Sequence, residues 1–228
     1  SATHRFHADH IMGTSLDLTV VCERPADAQA ARRAVLHEVE RLRRIVSTYD
    51  PASDISRLQR AEAGSPATYP RELVEVLEAC AAWQERSQGA FSPQGGPLIA
   101  LWQAAQKQDR LPDEAALAQA VRDVAQPAYQ VGPGQGVIMR RSGAPLNVDA
   151  LAKGYILDKA LAATRTIPAV EGALLDIGGE VAAWGKSPDG DAWRVGVADP
   201  AHPQENAPPL ARLRLRDRAV ATSGAYQR

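Results

Sequence analysis

The segment Asn147-Val148-Asp149-Ala150-Leu151-Ala152-Lys153-Gly154-Tyr155 holds the residues best placed to do chemistry. Asp149 is a good helix N-cap, so the free backbone N–H groups of Ala150 to Ala152 would face outward. Lys153 follows one turn in, near the positive end of the helix dipole, and that combination suits a pyrophosphate. A capped amphipathic helix carrying a solvated lysine accounts for the same residues. Gly154 argues for more, because glycine inside a helix costs about 1 kcal/mol relative to alanine and needs a packing or ligand reason. A second dense segment, Ala90-Phe91-Ser92-Pro93-Gln94-Gly95-Gly96-Pro97-Leu98, brings the backbone close to something before a helix restarts at Pro97. On composition alone it is a helix–helix connection.

Other patterns carry less. His4, His7 and His10 recur at spacing three, which on a helix would build a metal face, but the segment leads into a strand and brings no carboxylate at ligand spacing. Gly179 to Ser187 imitates a phosphate loop, yet five residues separate Gly179 from Gly185 where the loop requires four, so a hairpin turn after Trp184 fits better. Gly132 to Gly136 lies between two strand patterns and reads as a connection. No G-x-S-x-G occurs. Cys22 and Cys80 give no C-x-x-C and no zinc spacing; buried thiols are the simpler reading, with a disulfide left open.

These residues must be held by elements that periodicity makes visible. Leu16, Leu18, Val20 and Cys22 repeat with period two, a strand. From about Ala26 the period changes, and Val35, Val39, Leu42 and Val46 share one helical face. Leu73, Val76, Leu77 and Cys80 trace a second helix opened by Pro70. A third is expected over Pro97 to Gln106, and a fourth from Pro112, with Asp113 and Glu114 in its first turn. Later come short apolar runs, at Val137–Met139, Ala173–Ile177, Val181–Trp184, Trp193–Ala198, Leu213–Leu215 and Ala219–Ala221, separated by turn residues. One helix interrupts them, from about Ala150 to Thr164, and Pro200 to Pro209 is a Pro-rich loop. Helices early and strands late predict an α+β fold with an antiparallel-rich sheet in the second half.

Composition narrows the partners. The 228 residues suffice for one large domain or two small ones, and the 45% hydrophobic and 23% charged content is that of a globular chain. A formal charge of −1 without a polybasic block, and 5% aromatics, point away from nucleic acid. No signal peptide and no transmembrane run is read.

Taken in order, the pieces resemble the ApbE family of FAD:protein FMN transferases. They are Met12-Gly13-Thr14, Ser47-Thr48-Tyr49-Asp50 with Ser53-Asp54-Ile55-Ser56-Arg57-Leu58, Gly89-Ala90-Phe91 with Pro97-Leu98 and Leu101-Trp102, Ala152-Lys153-Gly154-Tyr155 with Asp158, Leu175-Asp176-Ile177-Gly178-Gly179-Glu180, Trp193-Arg194-Val195-Gly196-Val197, and Ala221-Thr222-Ser223-Gly224. Each is weak alone; the ordered set is specific. The resemblance implies a single domain over residues 1–228 and a Mg²⁺-dependent transfer of FMN from FAD onto a Thr or Ser of an acceptor redox protein, with release of AMP. It implies Met12 and Tyr49 against the flavin nucleotide, Ala90, Phe91 and Ser92 lining the FAD site, Asn147 where the family commonly has an Asp contacting FAD, the Ala150 carbonyl toward the metal, and the Lys153 side chain on the nucleotide. It names no catalytic residue here. A periplasmic or membrane-associated setting is implied, with the cytoplasm as the other option.

Three departures from the family pattern bear on activity. The family's Phe-Asp-Pro-Thr stands here as Phe91-Ser92-Pro93-Gln94, and its Asp stands as Asn147. The family's later His-x-x-Asp-Pro-x-x-Gly segment and its Asp and Thr or Ser metal ligands are not in this sequence. A catalytically silent FAD-binding protein, or an FAD pyrophosphatase giving FMN and AMP, are therefore the alternative expectations.

Overall fold

A computed structural model describes residues 1–132, 136–201 and 208–223. The interior of the Gly132–Gly136 connection, most of the Pro200–Pro209 loop and Gly224 lie outside the described residues. The described chain divides into two compact units: Ser1–Glu40 with Lys153–Arg228, and Arg41–Ala152.

The first unit is built on a five-stranded antiparallel sheet. Its strands are β1 (Ala2–Ile11), β2 (Thr14–Cys22), β6 (Val170–Ile177), β7 (Glu180–Gly185) and β10 (Arg218–Val220), and they lie in that order across the sheet. Period-two burial on β2 and β6 supplies the apolar face: Leu16, Leu18 and Val20 with Ala173, Leu175 and Ile177 are all buried. Helix α1 (Pro25–Val46) buries Ala28, Ala31, Val35 and Val39 in this unit, and α6 (Asp149–Thr164) buries Ile156, Leu157, Ala160 and Leu161. A ribbon of β8 (Trp193–Val197) and β9 (Ala211–Leu215) closes a second cluster, in which Trp193 and Leu215 join Val21, Val181 and Ala183.

β1 takes in the segment that carries His4, His7 and His10. Its strand geometry puts His7 on the face opposite His4, and the ladder is irregular between Ala8 and Ile11, so the spacing of three does not build one face. His7 instead sits between two carboxylates, with Nδ1 2.7 Å from Asp17 and Nε2 3.1 Å from Asp9. At the end of β7, Gly185 has φ +64°, and a Cβ there would lie 2.2 Å from the Glu171 carbonyl. That tight antiparallel turn explains the Gly-Lys-Ser sequence without a phosphate.

The second unit carries the end of α1, then α2 (Asp54–Arg60), α3 (Arg71–Arg86), α4 (Gly96–Lys107) and α5 (Glu114–Ala125). A small antiparallel sheet accompanies them, in the order β3 (Pro66–Thr68), β5 (Val137–Arg140), β4 (Tyr129–Val131). Leu42, Ile55, Leu58, Leu73, Leu77 and Ile138 are among its fully enclosed side chains. α5 begins two residues later than expected: Asp113 is its N-cap, accepting from the Ala116 N–H at 3.0 Å, and Pro112 precedes the cap. Cys22 and Cys80 are free and buried. No helix among the described residues is long and apolar enough to cross a membrane.

Candidate functional site

The eight residues singled out by the sequence fall into two groups, one per unit. Met12 and Lys153 belong to the first; Tyr49, Ala90, Phe91, Ser92, Asn147 and Ala150 belong to the second.

In the first unit two tight turns stand side by side, because β2 pairs with β6 in the register Leu16 to Ile177. Met12-Gly13 joins β1 to β2, and Gly178-Gly179 joins β6 to β7. All four residues have positive φ: 52°, 76°, 60° and 87°. Two-residue turns of this hand match the twist of the flanking strands. Glycine adopts them freely, whereas for Met12 the left-handed conformation costs about 1–2 kcal/mol, a local strain of the kind found at ligand sites. A Cβ on Gly178 would lie 2.7 Å from Thr14 Oγ1 and 3.1 Å from Lys153 Nζ, so only glycine lets threonine and ammonium close over the turn. Beyond Gly13 and Gly179 there is open space.

The Lys153 ammonium is 3.7 Å from Glu180 Oε1, an ion pair too long to be a hydrogen bond, and the side chain is 28% exposed. Asp176, at the end of β6, accepts from the Gly179 N–H at 2.8 Å. Burial raises its carboxyl above the usual aspartate range, with Asp17 across the ladder adding to the rise; the Gly179 bond and Lys153 oppose it. The packing reason expected for Gly154 is absent in this unit, since a Cβ there would meet Glu180 at an ordinary 3.8 Å.

In the second unit a chain of hydrogen bonds links the remaining candidates. The turn Ser47–Ser53 presents Tyr49. It is held by the Ser53 hydroxyl donating to the Ser47 carbonyl at 2.6 Å, by the Ala52 N–H on Asp50 at 2.9 Å, and by Arg43 on Asp50 at 3.0 Å. The Tyr49 ring is 85% exposed. The nearby Asp149 carboxylate raises the phenol above its ordinary value, with slight burial adding. Thr48 Oγ1 donates to the Asp149 carboxylate at 3.2 Å. Asp149 is the first helical residue of α6, and the Val148 carbonyl accepts from Leu151 and Ala152 at 2.9 and 2.8 Å. The expected N-cap at Asp149 thus moves back to Val148, and the Asp149 side chain accepts from Thr48.

Asn147 ties this to the Phe91 segment. Its Oδ1 accepts from the Asp149 N–H at 2.9 Å, and its own N–H donates to the Pro93 carbonyl at 2.6 Å. Around the segment, the Phe91 N–H donates to Ser87 Oγ at 3.0 Å and the Gln94 N–H to Ser92 Oγ at 3.3 Å. Ala90 and Ala150 are exposed. Gln94, 2% exposed, anchors the far end: its Nε2 donates to the Val124 carbonyl at 2.8 Å and to that of Gln126, and its Oε1 accepts from the Ala128 N–H at 2.9 Å.

Sequence reasoning missed Thr14, Asp176 and Glu180 as neighbours of Lys153, although the motifs containing them had been noticed. It also missed Gln94 as an anchor and Asp149 as the partner of Thr48. Only the Gly178-Gly179 pair offered a signal.

A pyrophosphate-bearing nucleotide fits the first group, in which an ammonium is held over a glycine turn beside open space. Mg²⁺ is different. Among the described residues no three His, Cys, Asp or Glu side chains come together, and the Ala150 carbonyl is one neutral donor where the ion demands near-octahedral oxygens. The described residues do not form a Mg²⁺ site by themselves.

The fold is that of solved flavin transferases. It matches the apo Pseudomonas stutzeri flavinyl transferase ApbE with a TM-score of 0.77 at 24% identity, over 99% of this chain and 70% of that one. It matches the Thermotoga maritima ApbE protein at 0.80 and 24% identity, over 100% and 72%. A model of the ApbE family matches residues 12–228, and this chain belongs to that family. Among curated relatives, the Treponema pallidum FAD:protein FMN transferase is 31% identical over 97% of this chain and 64% of its own length. A Chlamydia pneumoniae protein of the same name is 26% identical over 95% and 63%. The chain thus spans just under two thirds of the length of these relatives.

Proposed function

We propose that this chain acts as an FAD:protein FMN transferase, with FAD as donor and a Thr or Ser of a redox protein as acceptor. The observation that carries this reading is the Lys153 ammonium set over the Gly178 turn, beside the strained Met12-Gly13 turn, in a member of the ApbE family. In the reaction the acceptor hydroxyl oxygen bonds to the FMN-side phosphorus of FAD and loses its proton. The bond from that phosphorus to the AMP oxygen breaks, and AMP leaves with the electron pair. Such a displacement needs mainly positioning and neutralised phosphate charge. Lys153 supplies one positive charge to the pyrophosphate; roles for Met12, Tyr49, Ala90, Phe91, Ser92 and Asn147 toward the nucleotide rest on the family resemblance alone. Mg²⁺ as cofactor and a periplasmic setting rest on the family resemblance alone.

The test is AMP release from FAD by the 228-residue chain, with and without Mg²⁺, alongside FAD binding. Binding accompanied by Mg²⁺-dependent AMP and a flavinylated Thr or Ser supports the proposal. Loss of Lys153 to alanine is expected to weaken FAD binding about tenfold, the scale of one charge-assisted hydrogen bond. FAD binding without AMP at any Mg²⁺ concentration favours the flavin-binding alternative, and AMP with free FMN favours hydrolysis. No binding at all overturns all three readings.

A further inference from the structure

The ammonium of Lys153 already has a carboxylate beside it. Glu180 Oε1 lies 3.7 Å from Lys153 Nζ, with the lysine side chain 28% exposed and the glutamate 22%. Glu180 is the first residue of β7 and pairs with Ile177 across the Gly178-Gly179 turn, so the ladder fixes its backbone. Charge-assisted hydrogen bonds run to about 2.9 Å. Glu180 therefore attracts the ammonium without a directional bond to it. What frames Lys153 is the turn, because a Cβ on Gly178 would lie 3.1 Å from Nζ and 2.7 Å from Thr14 Oγ1. Asp176, bonded to the Gly179 N–H at 2.8 Å, remains at the turn as a second carboxylate if Glu180 loses its charge. A pyrophosphate, with a negative charge on each phosphate, offers the ammonium the shorter bonds that Glu180 does not make. A phosphate drawn to Lys153 also meets the Glu180 charge, and like charges at this range repel.

We infer that Glu180 is a counter-ion of Lys153 which the nucleotide pyrophosphate has to displace, so that its charge holds down the affinity for FAD and favours release of the phosphate-bearing products. This deepens the transferase reading and rests on its placing Lys153 against the pyrophosphate. Glu180 touches no reacting atom; it acts through Lys153, as a positioning residue. Substrate and products feel it alike, so its effect belongs to uniform binding, which moves KM without speeding the chemical step.

The test is the Kd for FAD of the 228-residue chain and of its Glu180→Gln and Glu180→Ala variants, each at about 0.05 M and about 1 M salt, where screening lengths differ several-fold. At the lower salt both variants are expected to bind FAD about threefold more tightly than the parent, the scale of one partly exposed ion pair. At the higher salt the advantage should shrink to almost nothing, because the charge that was removed is then screened. In steady-state AMP release the KM for FAD should fall in the variants with no gain in kcat. An affinity that is unchanged or weaker in both variants overturns the inference while the transferase reading stands. A gain that persists undiminished at high salt also overturns it, since a change of shape rather than of charge would then be the cause. Absence of FAD binding by the parent chain overturns that reading, and the inference with it.

Discussion

Asp176 carries a cost at neutral pH that the fold does not recover. Burial raises its folded value first, the Asp17 charge adds to the rise, and the Gly179 N–H and the Lys153 ammonium oppose it; Asp17 is itself bonded to His7. A carboxyl with a raised folded value binds its proton more tightly folded than unfolded. Stability therefore falls as pH rises from the ordinary aspartate value, about 4, through the folded value. Asp176→Asn keeps an acceptor for the Gly179 N–H and removes the charge. Its Tm should exceed the parent's at pH 7, and the advantage should disappear below about pH 4. Thermal melts at the two pH values check this, and an equal gain at both would show that the charge was not the cause. A site that keeps a costly carboxylate beside its ammonium fits the common exchange of stability for function.

Among the elements, the segment that presents Phe91 depends on one buried amide. Gln94 bonds to two carbonyls at the end of α5 and to the Ala128 N–H ahead of β4. Gln94→Leu keeps the volume but strands three backbone groups, so we expect a loss of about 2–3 kcal/mol and a fall in Tm of about 5–10 °C. A melt within about 1 °C of the parent would refute that role, being well under the shift that one lost hydrogen bond produces. The sequence revealed elements in proportion to their periodicity. α1, α3, β2, β6 and β7 carry clean apolar repeats, and all were visible. β1 was not, because an edge strand written Thr-His-Arg-Phe-His-Ala-Asp-His has no apolar face to announce it. α2, with 7 residues, and the three-residue strands β3 and β4 are too short for a period to register. At the site, family resemblance rather than periodicity singled out the segments. The partnerships of Asp149 with Thr48 and of Lys153 with Glu180 join residues far apart in sequence, where local spacing is silent.

At the scale of the whole molecule, the chain's order in sequence differs from its order in space. The unit Arg41–Ala152 is one continuous stretch, while the other joins Ser1–Glu40 to Lys153–Arg228. Its central ladder sets Cys22 opposite Val170. Burying Cys22 therefore requires closing a loop of well over a hundred residues, whereas Cys80, on α3, is enclosed by neighbours from the continuous stretch. Loop closure grows more costly with length, and non-local pairings form late. Each unit thus has a free thiol as its own reporter, since both cysteines are buried and unpaired. Burial pushes the Cys80 thiol up to about 12, so neither a disulfide nor native reactivity confuses the signal. During refolding from denaturant, pulsed alkylation read by mass spectrometry should find Cys80 protected before Cys22. If the thiols became protected together, the sheet would have to form as early as the helical stretch; if Cys22 led, the long-range ladder would be the nucleus. Either result would overturn the order that the topology predicts.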